Sequence, residues 1–404
     1  MMFRTLLLAT AGSLVSTAAF AACEYENEIP ISSLSAGFEA WYAVTDAMAE
    51  CGNFEAELDQ EFRTKQPTGF AADPSLYHIG GVANGTLVPL LNDGTIRPLN
   101  DLVEQYGEQL TPNQLISIDG DIMAIAMMVN TQHLMYRQDI FDELGLEVPT
   151  TYDEMLETAA AIQEAGVVDY PVGGTYRTGW NLAEEFVNMY LGFGGSLFND
   201  DKTPSINNEN GVAALEMMQA LTEYMDPEYL GSDSTYVQQQ FQQGDIAMAV
   251  LWASRAGAMD DPAESQVVEM VTMAAAPSAV EGGAPASTVW WDGIVIAENI
   301  SDEEAAAAFQ VAMEGMDAEM VQAHNDAAIW LIDGYEPNRL SEGAIANLMG
   351  GTPAYPASTE MGLMHTALGD NLSDFLIGAE SAEQALADAE EAYLTAARES
   401  GLVQ

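Results

Sequence analysis

Residues 119–166 read DGDIMAIAMMVNTQHLMYRQDIFDELGLEVPTTYDEMLETAAAIQEAG. An apolar run from Ile122 to Val129 leads into the polar trio Asn130-Thr131-Gln132. Tyr136-Arg137 opens a short helix that ends at Gly145, a residue type suited to a helix C-terminus. A second helix follows Pro149-Thr150-Thr151. Thr151 is its cap, Glu154 stands three residues on as in a capping box, and apolar Met155, Ala159 and Ile162 keep helical spacing. A long apolar strand followed by two helices is the start of an α/β arrangement.

The same rhythm runs outward in both directions. A first strand, Glu28 to Leu34, is followed by a helix from Phe38 to Glu50. Ser75 to Gly81 reads as a strand ending in a loop, and Asn84 to Asn92 as a helix closed by Asp93-Gly94. Beyond the opening segment, Tyr170 to Gly174 is a strand end leading into a helix from Trp180 to Leu191. Asn207 to Asn210 cap a helix reaching Tyr224, and Tyr236 to Gln242 form another, stopped by Gly244. Asp245 to Trp252 and Thr288 to Ala297 are apolar strands. Ser301 caps an alanine-rich helix to Met316, and the last helix is Ala382 to Arg398. The length of the chain suggests two domains.

These segments together resemble the extracellular solute-binding proteins of ABC importers, in the carbohydrate-binding family typified by the maltose-binding protein. The likeness is strongest at 119–166, 205–252 and 290–320, and weakest at 52–74 and 324–360. It implies a periplasmic-binding-protein fold: two α/β lobes joined by hinge crossovers, with a ligand cleft between them. The implied N-terminal lobe is 24–130 plus 293–338, and the implied C-terminal lobe is 131–292 plus 339–404. The implied function is capture of a sugar, polyol or small glycoside and delivery to permease transmembrane subunits, with no enzymatic step.

Composition bears on where such a protein works. Met1 to Arg4 is short and basic, Thr5 to Val15 apolar, and Ala19-Phe20-Ala21 has the small-x-small form of a signal peptidase site. Residues 1–21 are therefore expected to be a cleaved signal peptide, and the protein periplasmic. A lipid anchor on Cys23 is the rival reading, but Phe20-Ala21-Ala22 lacks the aliphatic residue a lipobox usually carries. Cys23 and Cys51 are the only cysteines, and an oxidising compartment makes their pairing the expectation. Cys23 would start the first strand and Cys51 would end the helix running back beside it.

The chain holds 63 acidic and 10 basic residues, a net charge of −53. Nucleic acid and anionic membrane surfaces are excluded as partners, because both would be repelled. The acid is spread over helices that also carry an apolar face, which suits a solvated shell in a salty exterior. Self-repulsion at this charge predicts that salt stabilises the fold, and a monomer is expected. A cationic ligand is the other reading of the same charge.

Sugar sites need flat aromatic faces and planar polar groups that bond two hydroxyls at once. Trp290-Trp291-Asp292 offers all of these. Adjacent residues in a strand point to opposite faces, so one tryptophan is hard to place in a core; an interlobe packing pair is the alternative. Trp252 ends a strand and is followed by Arg255, which either forks onto hydroxyls or answers a local carboxylate. The family supplies a stacking tryptophan at the strand end that Trp252 matches. Tyr176 and Trp180 match its aromatic-bearing loop in the second lobe. Phe38 and Glu39 follow the first strand, where members place polar and aromatic contacts. Tyr77 and His78 fall where the family type has an Asp-Arg pair, Asn130 where it has a ligand-binding glutamate, and His365 near a ligand residue at a helix start. No G-x-S-x-G elbow, HExxH or CxxC occurs, so neither a catalytic residue, a cofactor nor a metal is expected. Two rivals stay open: the same fold binding a polyamine, betaine or other compatible solute, and a secreted carbohydrate-active enzyme.

Overall fold

The computed structural model describes residue 23, residues 25–118 and residues 120–403; the signal peptide expected over residues 1–21 lies outside the described residues. Ten strands are β1 (Ile31–Ser35), β2 (Phe54–Leu58), β3 (Ile79–Ala83), β4 (Leu115–Ile118), β5 (Asp121–Arg137), β6 (Tyr170–Gly173), β7 (Ile246–Trp252), β8 (Val271–Ala274), β9 (Val289–Ile296) and β10 (Ile329–Trp330). They pair in the order β2-β1-β3-β9-β5-β7-β6, with β4, β8 and β10 also paired to β5. The fold is the two-lobed α/β arrangement of periplasmic binding proteins.

β5 organises it. The apolar run read from Ile122 to Val129 extends to 17 residues and takes in Tyr136-Arg137, where a helix start was expected. That helix begins one residue later, Gln138–Leu144. The strand is longer than its apolar core because its second half has its own partners. Its first half pairs with β9, Asn130 opposite Trp290 and Thr131 opposite Val289. Its second half pairs with β7, Gln132 opposite Trp252. The ladder is handed from β9 to β7 between Thr131 and Gln132.

The two largest hydrophobic clusters among the described residues follow from this. Ile125, Met127 and Met128 of β5 join Trp41, Ile294 and Phe309 in the first lobe. Leu134 and Tyr136 join Phe186, Tyr190, Leu386 and Tyr393 in the second.

Local chemistry sets the helix boundaries. Thr151 accepts from the Glu154 backbone N–H at 3.2 Å, while the Glu154 carboxylate reaches back to the Thr150 N–H at 2.7 Å, one residue before the expected partner. Gly145 and Gly166 end the two helices at φ of 66° and 64°, where a side chain would be strained. Ser301 and Glu304 cap the alanine-rich helix Asp302–Gly315 reciprocally.

Cys23 and Cys51 form a disulfide. Cys23 lies ahead of β1 rather than opening it, and Cys51 follows the helix Glu39–Ala49. The bridge ties the segment ahead of β1 to the first lobe's core, where Cys51 is buried. Cys51→Ser is expected to lower the unfolding free energy by about 3 kcal/mol. Urea denaturation with and without reductant checks this, because reductant should destabilise the wild type and leave the variant unchanged.

Candidate ligand-binding site

A cavity of about 440 Å³ opens where the strand ends of the two lobes meet. From the first lobe it is lined by Phe38 after β1, by Gln60 to Thr64 at the start of the helix Phe62–Ala71, and by Ala83 and Thr86 after β3. From the second come Arg177, Thr178, Trp180 and Asn181, then Asp233 to Thr235, and Trp252, Ser254 and Arg255. The crossover strands supply Asn130, Trp290 and Asp292.

Register explains why the tryptophans converge. Asn130 and Gln132 lie on the same face of β5, and their partners Trp290 and Trp252 flank it from β9 and β7. Their rings meet edge-on, with centroids 5.9 Å apart at 88°. Trp180, at the start of the helix Trp180–Gly192, completes a triangle at 6.3 Å from Trp252 and 5.6 Å from Trp290. Asn130 braces the corner by donating to the Ser254 hydroxyl at 3.1 Å and accepting from the Ser254 N–H at 3.3 Å.

Behind the triangle sits a buried polar layer. The Trp290 indole donates to Glu184 Oε1 at 2.9 Å, and Thr288 donates to the same oxygen at 2.9 Å. Glu184 Oε2 is buried with no hydrogen-bond partner. Burial pushes the Glu184 carboxyl up to about 8, against the pull of its hydrogen bonds. At neutral pH it is a neutral acid. Neighbouring Glu185 is pushed up by burial to about 7, and accepts from Thr175 and from Gln132.

Tyr355 stacks on the far side of Trp290 at 3.9 Å. His365 Nε2 faces the Trp180 carbonyl at 2.9 Å, so that nitrogen carries the proton and Nδ1, 2.6 Å away, accepts from the Tyr355 hydroxyl. Burial lowers this imidazole to about 4, which keeps it neutral.

The front of the cavity is charged. Arg63 reaches across from the first lobe to lie over the Trp180 ring, 4.5 Å from its centroid, and 4.7 Å from that of Phe62. Among the described residues neither Arg63 nor the Asp292 carboxylate has a hydrogen-bonding protein partner. The two feel each other: burial pushes Asp292 up to about 7, and the Arg63 charge opposes that rise. Arg255 donates to Gln238 at 3.1 Å, and Arg177 pairs with Asp233 at 3.1 Å.

Of the residues singled out in the sequence, the structure brings Phe38, Asn130, Trp180, Trp252, Arg255, Trp290 and Asp292 to this cavity. The others lie elsewhere. Glu39 is exposed outside the lining, at the start of its helix. Tyr77 donates to Glu57 at 2.6 Å, and His78 accepts from the Ser32 N–H at 3.1 Å. Tyr176 is buried edge-on to Tyr229. Trp291 packs on the first-lobe cluster of Phe70 and Val82, opposite in direction to Trp290. His365 lies within the helix Thr359–Asn371 and backs the site. Sequence reading missed Phe62, Arg63, Thr86, Arg177 and Asp233. Arg63 and Arg177 did carry a signal, being two of 10 basic residues in an acidic chain.

A two-lobed fold with an aromatic and polar cavity between the lobes defines a ligand trap. The model described as bacterial extracellular solute-binding protein matches residues 56–319, and the chain belongs to that family. A probable sugar-binding periplasmic protein of Mesorhizobium japonicum is 25% identical over 143 residues, which are 33% of this chain and 34% of that protein. The match thus spans about a third of that relative's length. Among solved structures, an ABC transporter solute-binding protein from Agrobacterium radiobacter K84 in complex with ribitol has a TM-score of 0.81 at 21% identity, covering 92% of this chain and 100% of that one. An ABC transporter solute-binding protein from Agrobacterium vitis S4 with bound D-mannitol has a TM-score of 0.77 at 20% identity, covering 92% of this chain and 99% of that one. Maltose-bound MalE3 of T. maritima also reaches 0.77, at 18% identity over 90% of this chain and 99% of its own. These structural likenesses concern the fold.

Proposed function

We propose that this chain is the periplasmic capture subunit of an ABC importer, and that its ligand is a sugar, polyol or small glycoside. The observation that carries the reading is an aromatic corner facing a carboxylate and a guanidinium that lack protein hydrogen bonds. The parts of the indoles that reach the cavity suit the apolar C–H side of a sugar, while Asp292 and Arg63 are each able to fork onto two hydroxyls. Family membership, the sugar-binding name of the Mesorhizobium relative, and the ribitol and mannitol bound to the Agrobacterium proteins support it. A cationic solute is disfavoured. Arg63, Arg177 and Arg255 all line the cavity, and Arg63 already occupies the cation–π position over Trp180.

Capture works by lobe closure. The first lobe, 24–130 plus 293–338, would close on the second, 131–292 plus 339–404, with bending at the handover in β5. Ligand shifts the open–closed balance only by its extra affinity for the closed form, so groups from both lobes matter most. The closed form would dock on the permease, and no chemical step is needed.

A thermal-shift screen of the mature protein against sugars, polyols, polyamines and betaines tests the assignment. A ligand at a thousand times its dissociation constant stabilises by about 4 kcal/mol. A shift confined to betaines or polyamines would overturn the carbohydrate reading. Asp292→Ala is expected to weaken the best carbohydrate about a hundredfold, from the loss of charge-assisted hydrogen bonds worth about 3 kcal/mol. Calorimetry at pH 8, where the wild-type carboxyl is ionised, measures the difference. Affinity within threefold of wild type would remove Asp292 from the site.

A further inference from the structure

We infer that the ligand is a single sugar ring or an open-chain polyol, and that the cleft excludes extended oligosaccharides; this rests on the carbohydrate reading above and narrows it. An oligosaccharide site offers aromatic faces laid out in a row, so that successive rings each find a platform. Here the three tryptophans meet at one corner. Their planes differ by 31°, 65° and 88°, and no two centroids are more than 6.3 Å apart.

Little of each ring is left to stack on. Trp290 is 4% exposed and Trp252 is 8% exposed. Tyr355 covers the far face of Trp290. Trp180 is the more open ring, and its face is taken by the Arg63 guanidinium arriving from the other lobe. A chain of sugars continuing across that face would have to displace a side chain that spans the cleft. The volume agrees, since about 440 Å³ is near the lower end of the range for ligand pockets, roughly 300–1,000 Å³. Two polar groups belong to the same corner: Asn130 is bonded to Ser254, two residues after Trp252, and Arg63 lies over Trp180.

Calorimetry on the mature wild-type protein tests the size limit. The probes are ribitol, mannitol, xylose, glucose, mannose and galactose, set against maltose, maltotriose, cellobiose and cellotriose. The tightest single-ring or acyclic probe is expected to bind at least tenfold more tightly than either trisaccharide. A trisaccharide that binds as tightly, or more tightly, overturns the size limit and leaves carbohydrate capture standing. If no carbohydrate binds, the carbohydrate reading falls together with the inference. Arg63→Ala is expected to reduce the discrimination against trisaccharides several-fold, and an unchanged ratio would overturn the part given to Arg63.

Discussion

Trp290→Ala is expected to cost the fold about 4 kcal/mol and to abolish measurable carbohydrate binding. The indole is 4% exposed and packed among Trp180, Trp252 and Tyr355. Truncation leaves a cavity at the place where β5 passes between lobes, and nearby side chains can collapse into it only partly. It also takes a donor from Glu184, whose other oxygen already lacks one. Thr288 still donates to the oxygen that loses the indole, so the lost hydrogen bond adds only about 1 kcal/mol to the packing loss. Trp290→Phe separates the two contributions, because it keeps most of the packing and loses only the N–H. Urea denaturation at pH 7, with calorimetry on the same samples, reads both effects. An unfolding free energy for Trp290→Ala within 1 kcal/mol of wild type would refute the account of this corner.

Stability is expected to peak near pH 5 and to fall on both sides. The alkaline limb comes from Glu184 and Glu185, raised by burial to about 8 and about 7 from an ordinary value of 4.5. The unfolded chain gives up these protons near the ordinary value while the native chain keeps them. Their contribution is therefore complete below that value and is lost as pH rises through 7 and 8. For Glu184, 1% exposed, the loss is on the order of 4 kcal/mol by pH 9. Asp292, raised to about 7, acts in the same direction.

The acid limb comes from histidine. His133 is fully buried with neither ring nitrogen partnered, and burial lowers it to about 3; His365 is lowered to about 4. Between these values and 6.5 the unfolded chain binds protons that the native chain refuses, so stability falls as pH falls. Denaturation curves in about 0.5 M salt, where charge repulsion is screened within about 4 Å, isolate these groups. Glu184→Gln should flatten the alkaline limb, and a limb as steep as wild type would clear Glu184 of the effect.

Much of the scaffold was legible because its signals are local. Thr151, Asn208 and Ser301 announce helix starts through hydrogen bonds within three residues, and Gly145 and Gly166 announce helix ends. Some aromatic residues of the site were legible from their place at strand termini, Trp252 at the end of β7 and Trp290 near the start of β9. The Tyr77-His78 placement failed on register. β3 runs from Ile79 to Ala83, so its cavity end at Ala83 falls beyond both residues chosen. Arg63 was missed for a different reason. The helix Phe62–Ala71 is largely polar and holds Pro67, so nothing in its spacing marks it as a helix, let alone one whose first turn faces a cleft. His365 and Tyr355 are joined to Trp180 only through tertiary packing, which no sequence spacing displays.

Three of the chain's six tryptophans crowd one corner, with a guanidinium over one ring and a histidine 5.0 Å from it. The molecule therefore carries its own optical gauge. Much of its near-ultraviolet emission originates within a few ångströms of the cavity, and a cation over an indole tunes that emission. Any event that lifts Arg63 from Trp180 should register as a change in intensity or colour. Unlabelled protein in a cuvette is then enough to follow occupancy in real time.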